Sequence, residues 1–437
     1  MHRAGSRNGE PVLEEEIISP PSRTPFIGAA NRWFRFAQGA GMMRQRTFDR
    51  NVLMERVAEK TGQSDFGDAW FHAPYDMLVD AIRAEARLNL AGEFVAEMQF
   101  EKVLTDRVMA QRWFNKHPEI LERALPRPII VVGPMRSGTT RMHRLLAADR
   151  RFQHLRSFET ISPVPPEDFE PGEEYDERIV TARKIQRMAR LANPRTLNIH
   201  PTGPCEPEEE LGLLVNSFWG MKHEVQWSIP SYGRWSETVD ARPAYAQLAR
   251  LLKLVSWSQQ KSSLKPWILK TPQYMLDLDA VIDTFPDARF IFTHRDPKAV
   301  VGSAASLAWN QTIIYSDHAD AQSVGREWLH KTEQQIARMR RARDRIAKSR
   351  MIDVHFEEMD GGWEAVMSRI YDFLDLEIEP ALPGMADFMN RSRALKRRPH
   401  RYSLGEFGIS EGEVAERLSD YIRTYGITVE REERRSA

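Results

Sequence analysis

The sequence predicts an α/β protein: three α/β/α layers around a central parallel sheet, with a helical N-terminal region and a large helical insertion. Three observations predict it. Four short apolar runs, at 128–132 (PIIVV), 267–269 (WIL), 289–294 (RFIFTH) and 351–356 (MIDVHF), each lead into a stretch with helical apolar spacing. Strands alternating with helices build a parallel sheet covered on both faces. Apolar residues recur at helical spacing before the first run, and about 130 mostly helical residues separate the first run from the second, long for one crossover.

Taken in order, residues 1–25 are polar and rich in Pro, Ser and Glu, and are expected to form a flexible leader. Residues 31–43 (NRWFRFAQGAGMM) mix aromatics with arginines, a pattern expected of a surface helix packed on the main domain, with contact to a membrane or partner subunit as the alternative. Residues 51–61 and 75–100 carry apolar side chains at helical spacing, and 101–119 continue in that style to Pro118. A helical region over 26–120 follows. The sheet domain is expected over 121–437, with its insertion at about 160–262. Helices are expected after the later strands at 274–284, at 298–307 and, following the fourth run, through Asp375.

Composition narrows the function. The chain has 437 residues, 41% of them apolar, enough for a substantial core. Its 62 basic and 62 acidic side chains cancel, which argues against a generic nucleic-acid binder. The single cysteine, Cys205, excludes an internal disulfide and a cysteine-rich metal site. No His/Cys/carboxylate set has metal-ligand spacing, so no metal is expected. The first residues lack the apolar core of a secretion signal, and no stretch approaches 18 uninterrupted apolar residues, so a cytoplasmic location without a transmembrane segment is expected.

Residues 133–140 (GPMRSGTT) lie between the first strand and a helix, where backbone N–H groups and the helix dipole cradle phosphate. Gly133, Gly138 and Thr140 keep the P-loop register, so the expected sheet is P-loop-like. Thr139, however, stands where the lysine of a nucleotide kinase or ATPase belongs, and the cation is Arg136 inside the loop. A P-loop kinase is disfavoured on that ground.

With its flanks, PIIVVGPMRSGTTRMHRLLAADRRF resembles the 5′-phosphosulfate loop of sulfotransferases that use 3′-phosphoadenosine 5′-phosphosulfate (PAPS), especially the R-S-G-T-T branch of tyrosylprotein and bacterial enzymes. Residues 285–307 (FPDARFIFTHRDPKAVVGSAASL) are similar to that family's 3′-phosphate element. FGDAWF, the LKTP at 269–272 and the RYSLGEFG at 401–408 extend the resemblance weakly from about Asp65 to Arg423. The resemblance implies PAPS as co-substrate, its desulfated product PAP, and a hydroxyl acceptor. It puts Arg136, Ser137, Gly138, Thr139 and Thr140 on the 5′-phosphosulfate, and Arg295 with Ser303, eight residues on, at the 3′-phosphate. A late basic loop, residues 391–401 running into Tyr402, is expected to fold over the nucleotide and bring Arg401 and Tyr402 to it.

The chemistry needs these residue types. Sulfuryl transfer, like phosphoryl transfer, relies on in-line positioning and on stabilising charge on the leaving phosphate. Arginine's fixed fork of donors suits phosphate oxygens. Lys270 ends a strand, so it projects from the sheet's carboxyl end, where open α/β sheets place ligands, and the resemblance gives it the leaving group. The acceptor hydroxyl needs a base. The resemblance points to Glu159, whose other role is a surface pair with Arg156. The small-molecule branch uses histidine, which makes His200 and His223 alternatives. Glu206, Glu208, Glu209 and Glu210 open an expected helix, where its dipole favours acids. Trp219, Trp227, Tyr232 and Trp235 suit an acceptor pocket and core packing equally. Two other functions stay open at this stage: a PAP- or PAPS-binding protein without turnover, and the disfavoured kinase.

Overall fold

The structure is a computed structural model that describes residues 23–172, 176–195, 202–394 and 402–429. The expected leader, apart from Arg23 to Pro25, lies outside them, as do His200 and Arg401.

All four expected strands form: β1 (Ile129–Val132), β2 (Ile268–Lys270), β3 (Arg289–His294) and β4 (Met351–His355). They pair in parallel in the order β2-β1-β3-β4. Alternation along each strand sorts its side chains to opposite faces. Ile130, Val132, Leu269, Phe290 and Phe292 join one apolar cluster, with helices Arg242–Ser258, Pro297–Tyr315 and Ala321–Arg343. Ile129, Val131, Ile268, Ile291 and Val354 join another, with helices Thr139–Ala147 and Phe356–Phe373. Both faces are covered, so the runs read as continuously apolar instead of alternating.

The N-terminal helices build a third cluster and share it with the insertion. Leu53, Tyr75, Leu78, Phe100 and Leu104 pack there with Phe218, Trp227 and Tyr232. The stretch 75–100 is not one helix, as its spacing suggests. Helix His72–Ala81 passes into a π-turn, Ile82–Ala86, and Arg87 turns left-handed at φ 45°. Asn89 then caps the helix Leu90–Lys116 by accepting the Gly92 N–H at 2.9 Å, while its own N–H donates to the Tyr315 carbonyl at 2.8 Å. Cap and tertiary contact together outweigh the apolar period. Residues 31–43 fall largely in the helix Pro25–Gly39, as expected. The helix expected after β2 is split into a 3₁₀ turn, Pro272–Met275, and the helix Leu278–Thr284.

Candidate active site

The carboxyl ends of β1, β2 and β3 meet at one edge of the sheet, and each leads into a segment carrying predicted site residues. After β1, the loop 133–140 makes a tight path. Gly138 is left-handed at φ 83° and so is Arg136 at φ 69°, an uncommon state for a residue with a side chain. A Cβ on Gly133 would run into Thr293 Oγ1 of β3, which is why glycine stands there. Ser137 is buried, and its hydroxyl bonds the Pro134 carbonyl at 2.8 Å and Thr293 Oγ1 at 2.7 Å, locking the loop to β3. Thr139 opens the nine-residue helix Thr139–Ala147, whose first turn leaves backbone donors free of intrahelical partners.

The two blocks about 160 residues apart in sequence touch. Arg136 Nε donates to Ser303 Oγ at 3.2 Å, and Arg295 Nη1 donates to the Arg136 carbonyl at 2.8 Å. Arg295 also lies over the Phe356 ring, 3.9 Å from its centroid. Asp296 caps the helix that carries Ser303, accepting the Lys298 N–H at 2.9 Å. Tyr402 packs on Gly302 of that helix, and its hydroxyl donates to the Ala299 carbonyl at 3.0 Å. The structure thus brings Arg136, Ser303, Arg295 and Tyr402 into one neighbourhood.

On the other side of the loop stands Lys270, 1% exposed, its ammonium bonded to Thr140 Oγ1 at 3.3 Å and ion-paired to Glu209. Its backbone N–H donates to Glu210 Oε2 at 2.7 Å, and the Tyr274 hydroxyl donates to the same oxygen at 2.9 Å. Burial pushes the Glu210 carboxyl up to about 8, despite these bonds. Burial thus favours the protonated form of Glu210, while Glu209 faces the Lys270 ammonium. Arg136 and Arg295 bring two guanidinium groups to this sheet edge, a donor type that suits phosphate oxygens.

Glu159 is fully buried, not a surface group. Its Oε2 accepts the Arg156 N–H at 2.7 Å, its Oε1 the Arg156 guanidinium at 2.6 Å, and Gln259 Nε2 reaches both oxygens at 2.9 Å. These bonds cap the short helix Ser157–Ile161 and tie it to the helix Arg242–Ser258 through the residue that ends the latter. His223 is buried against Trp227, its ring nitrogens unbonded, and burial followed by Lys222 lowers it to about 3. Trp219, Trp227 and Tyr232 are core side chains; Trp235 is partly buried.

Sequence reasoning missed Glu209 and Glu210 as neighbours of Lys270. The helix expected after them is a short helix, Leu211–Leu214, followed by a 3₁₀ turn, Val215–Ser217, and the acids turn toward β2. Also missed was His143, fully buried on the loop helix and held well below its usual pKa, chiefly by burial and then by Lys270. Among the described residues no group of three or more His, Cys, Asp or Glu side chains has the geometry to hold a metal ion, and no helix is long and apolar enough to cross a membrane. A wide groove of about 1050 Å³ lies at the amino end of β4, among Arg340, Arg341, Lys348 and Met351, and takes no part in this site.

The model of the Sulfotransferase family matches residues 128–380, more than half of the chain, and the match contains the loop, Lys270, Arg295 and Ser303. The chain belongs to the sulfotransferase family. Among curated sulfotransferases it is 24% identical over 321 residues to the omega-hydroxy-beta-dihydromenaquinone-9 sulfotransferase Stf3 of Mycobacterium tuberculosis, covering 68% of this chain and 75% of the relative. It is 26% identical over 198 residues to the protein-tyrosine sulfotransferase of Drosophila melanogaster, covering 45% of this chain and 37% of that one. Of solved structures, sulfotransferase STF1 of M. tuberculosis superposes with a TM-score of 0.74 at 26% identity, over 86% of this chain and all of the other. STF9 of Mycobacterium avium superposes at 0.79 and 24% identity, over 89% and 99%. The sulfotransferase fold thus extends well beyond the sheet, into the N-terminal helices and the insertion.

Proposed function

We propose that this sulfotransferase moves the sulfuryl group of PAPS to a hydroxyl of a small-molecule, lipid, glycan or peptide acceptor. The convergence of Arg136, Arg295 and Ser303 carries the reading. Two cations and a hydroxyl from separate blocks, next to a glycine loop and a helix N-terminus, suit a nucleotide with phosphates at both ends of its ribose. Gly133 and Gly138 let the loop backbone approach a ligand closely, and the left-handed Arg136 is the kind of conformation that functional loops retain.

PAPS supplies an activated sulfuryl group whose sulfur–oxygen bond breaks as the acceptor oxygen bonds to sulfur. The residues divide the remaining work. The loop N–H groups, Thr140 and Arg136 hold the 5′-phosphate; Arg295 and Ser303, with Tyr402 behind them, hold the 3′-phosphate. Lys270 places its ammonium beside Thr140, where it stabilises charge on the departing phosphate oxygen. For the base, the geometry favours Glu209 over Glu159. Glu209 keeps 16% of its side chain exposed and already pairs with Lys270, whereas Glu159 is sealed and occupied by Arg156 and Gln259. Glu159 then acts as a positioning residue for the 156–161 turn.

Transfer of ³⁵S from labelled PAPS to pooled hydroxyl acceptors (lipid extract, glycans, phenols, tyrosine peptides) tests this reading. Wild type should label one class. Glu209→Gln should lower the rate by about 10²–10⁴, the usual worth of a general base, with PAP affinity kept. A larger loss in Glu159→Gln than in Glu209→Gln would return the base to Glu159. Undiminished PAP affinity with no transfer to any class would leave a binding protein.

A further inference from the structure

Six of the eleven large apolar side chains exposed among the described residues are concentrated on two helices that touch. Phe26, Trp33 and Phe36 project from helix Pro25–Gly39, and Ile185, Met188 and Leu191 from helix Arg178–Ala192, with Trp33 at 56% and Phe36 at 68% exposure. Thr24 Oγ1, at the cap of the first helix, donates to the Ala192 carbonyl at the end of the second at 2.7 Å. Each helix buries its other side: Ile27, Asn31 and Ala37 in one, Arg178, Ala182 and Gln186 in the other. The spacing of Ile185, Met188 and Leu191, three residues apart, makes a helical stripe.

The charge on these helices is one-sided. Neither contains an acidic residue, although the whole chain is neutral. Arg32, Arg35, Arg183, Lys184, Arg187 and Arg190 are exposed, and none forms an ion pair with another described residue. Elsewhere on this molecule exposed arginines such as Arg44, Arg345 and Arg417 are paired. Exposed aromatic and aliphatic stripes on touching helices, beside cations that pair with no described residue, are what an anionic membrane interface complements. Long basic stems can lie along the apolar surface while their charged ends reach lipid phosphates.

We propose that these two helices dock the protein peripherally on a bilayer containing anionic lipid, with Trp33 and Phe36 inserted at the headgroup level. The proposal rests on this surface alone and not on the PAPS reading.

The test is co-sedimentation of the full chain with vesicles of phosphatidylcholine, with and without phosphatidylglycerol. Pelleting is expected with the anionic vesicles, weakened at least about tenfold in about 0.5 M salt and by the triple substitution Trp33→Ser, Phe36→Ser, Met188→Ser. Circular dichroism and the melting temperature report whether the triple variant stays folded. Arg187→Glu with Arg190→Glu, which touches no apolar residue, should weaken pelleting independently. No pelleting with either vesicle would overturn the proposal, as would pelleting that neither set of substitutions weakens. So would a dimer in sedimentation velocity that the triple variant splits while vesicle binding is absent, since the face would then belong to a second copy.

Discussion

Two carboxyl groups bond Lys270, Glu209 at its ammonium and Glu210 at its backbone N–H. Glu210 is the informative one, because its raised pKa has a direct cost in stability. Below its ordinary value of about 4.5 the folded and unfolded chains both keep its proton; between that and about 8 the unfolded chain has lost it and the folded chain has not. Glu210 therefore stabilises the fold at acid pH, and that contribution falls as pH rises through this window, by up to about 1.4 kcal/mol per unit. Glu210→Gln, which mimics the neutral acid, should flatten this slope. Urea midpoints of wild type and variant at pH 5 and pH 8 measure it, and parallel slopes would put the proton elsewhere. None of this was readable in the sequence. Acids before an apolar run look like dipole partners wherever they sit, and only the turn of 208–210 back toward β2 makes them neighbours of Lys270.

Elements carried more of the outcome. The strands were readable because buried parallel strands are short, apolar on both faces and bounded by turn residues, as 128–132 and 289–294 are. The loop after β1 was readable for the same reason that it is fragile: glycine spacing reports where backbone needs room. Gly133→Ala would push a methyl group into Thr293 Oγ1, with Ser137 Oγ 2.8 Å and the Thr293 carbonyl 3.0 Å away. Overpacking of this kind typically costs about 1–3 kcal/mol. A lowered melting temperature is expected, together with loss of PAP binding and partial recovery in Gly133→Ala with Thr293→Ala. A melting temperature equal to wild type would show that the loop has slack. Breaks inside helical patterns were less readable. The apolar period runs on through Arg87, whose left-handed turn is held by contacts more than two hundred positions away: the Ser316 hydroxyl donates to the Arg87 carbonyl at 3.0 Å, and Asn89 bonds residues 314, 315 and 317.

At the scale of the molecule, one sheet edge gathers residues from the whole length of the chain. Arg136 follows β1, Lys270 ends β2, Arg295 follows β3, and Tyr402 returns from beyond β4 to lie on the helix that carries Ser303. The resemblance named this set and the fold assembles it. The acceptor's surroundings were also beyond reach, because three of the four aromatic residues that suited either a pocket or the core are core side chains. The most direct measurement is calorimetric titration with PAP and, separately, ATP. Tight PAP binding is expected, weakened at least about a hundredfold by Arg295→Ala through loss of a charged phosphate contact, with little binding of ATP. Equal affinity for ATP, or PAP binding indifferent to Arg295→Ala, would contradict the PAPS reading.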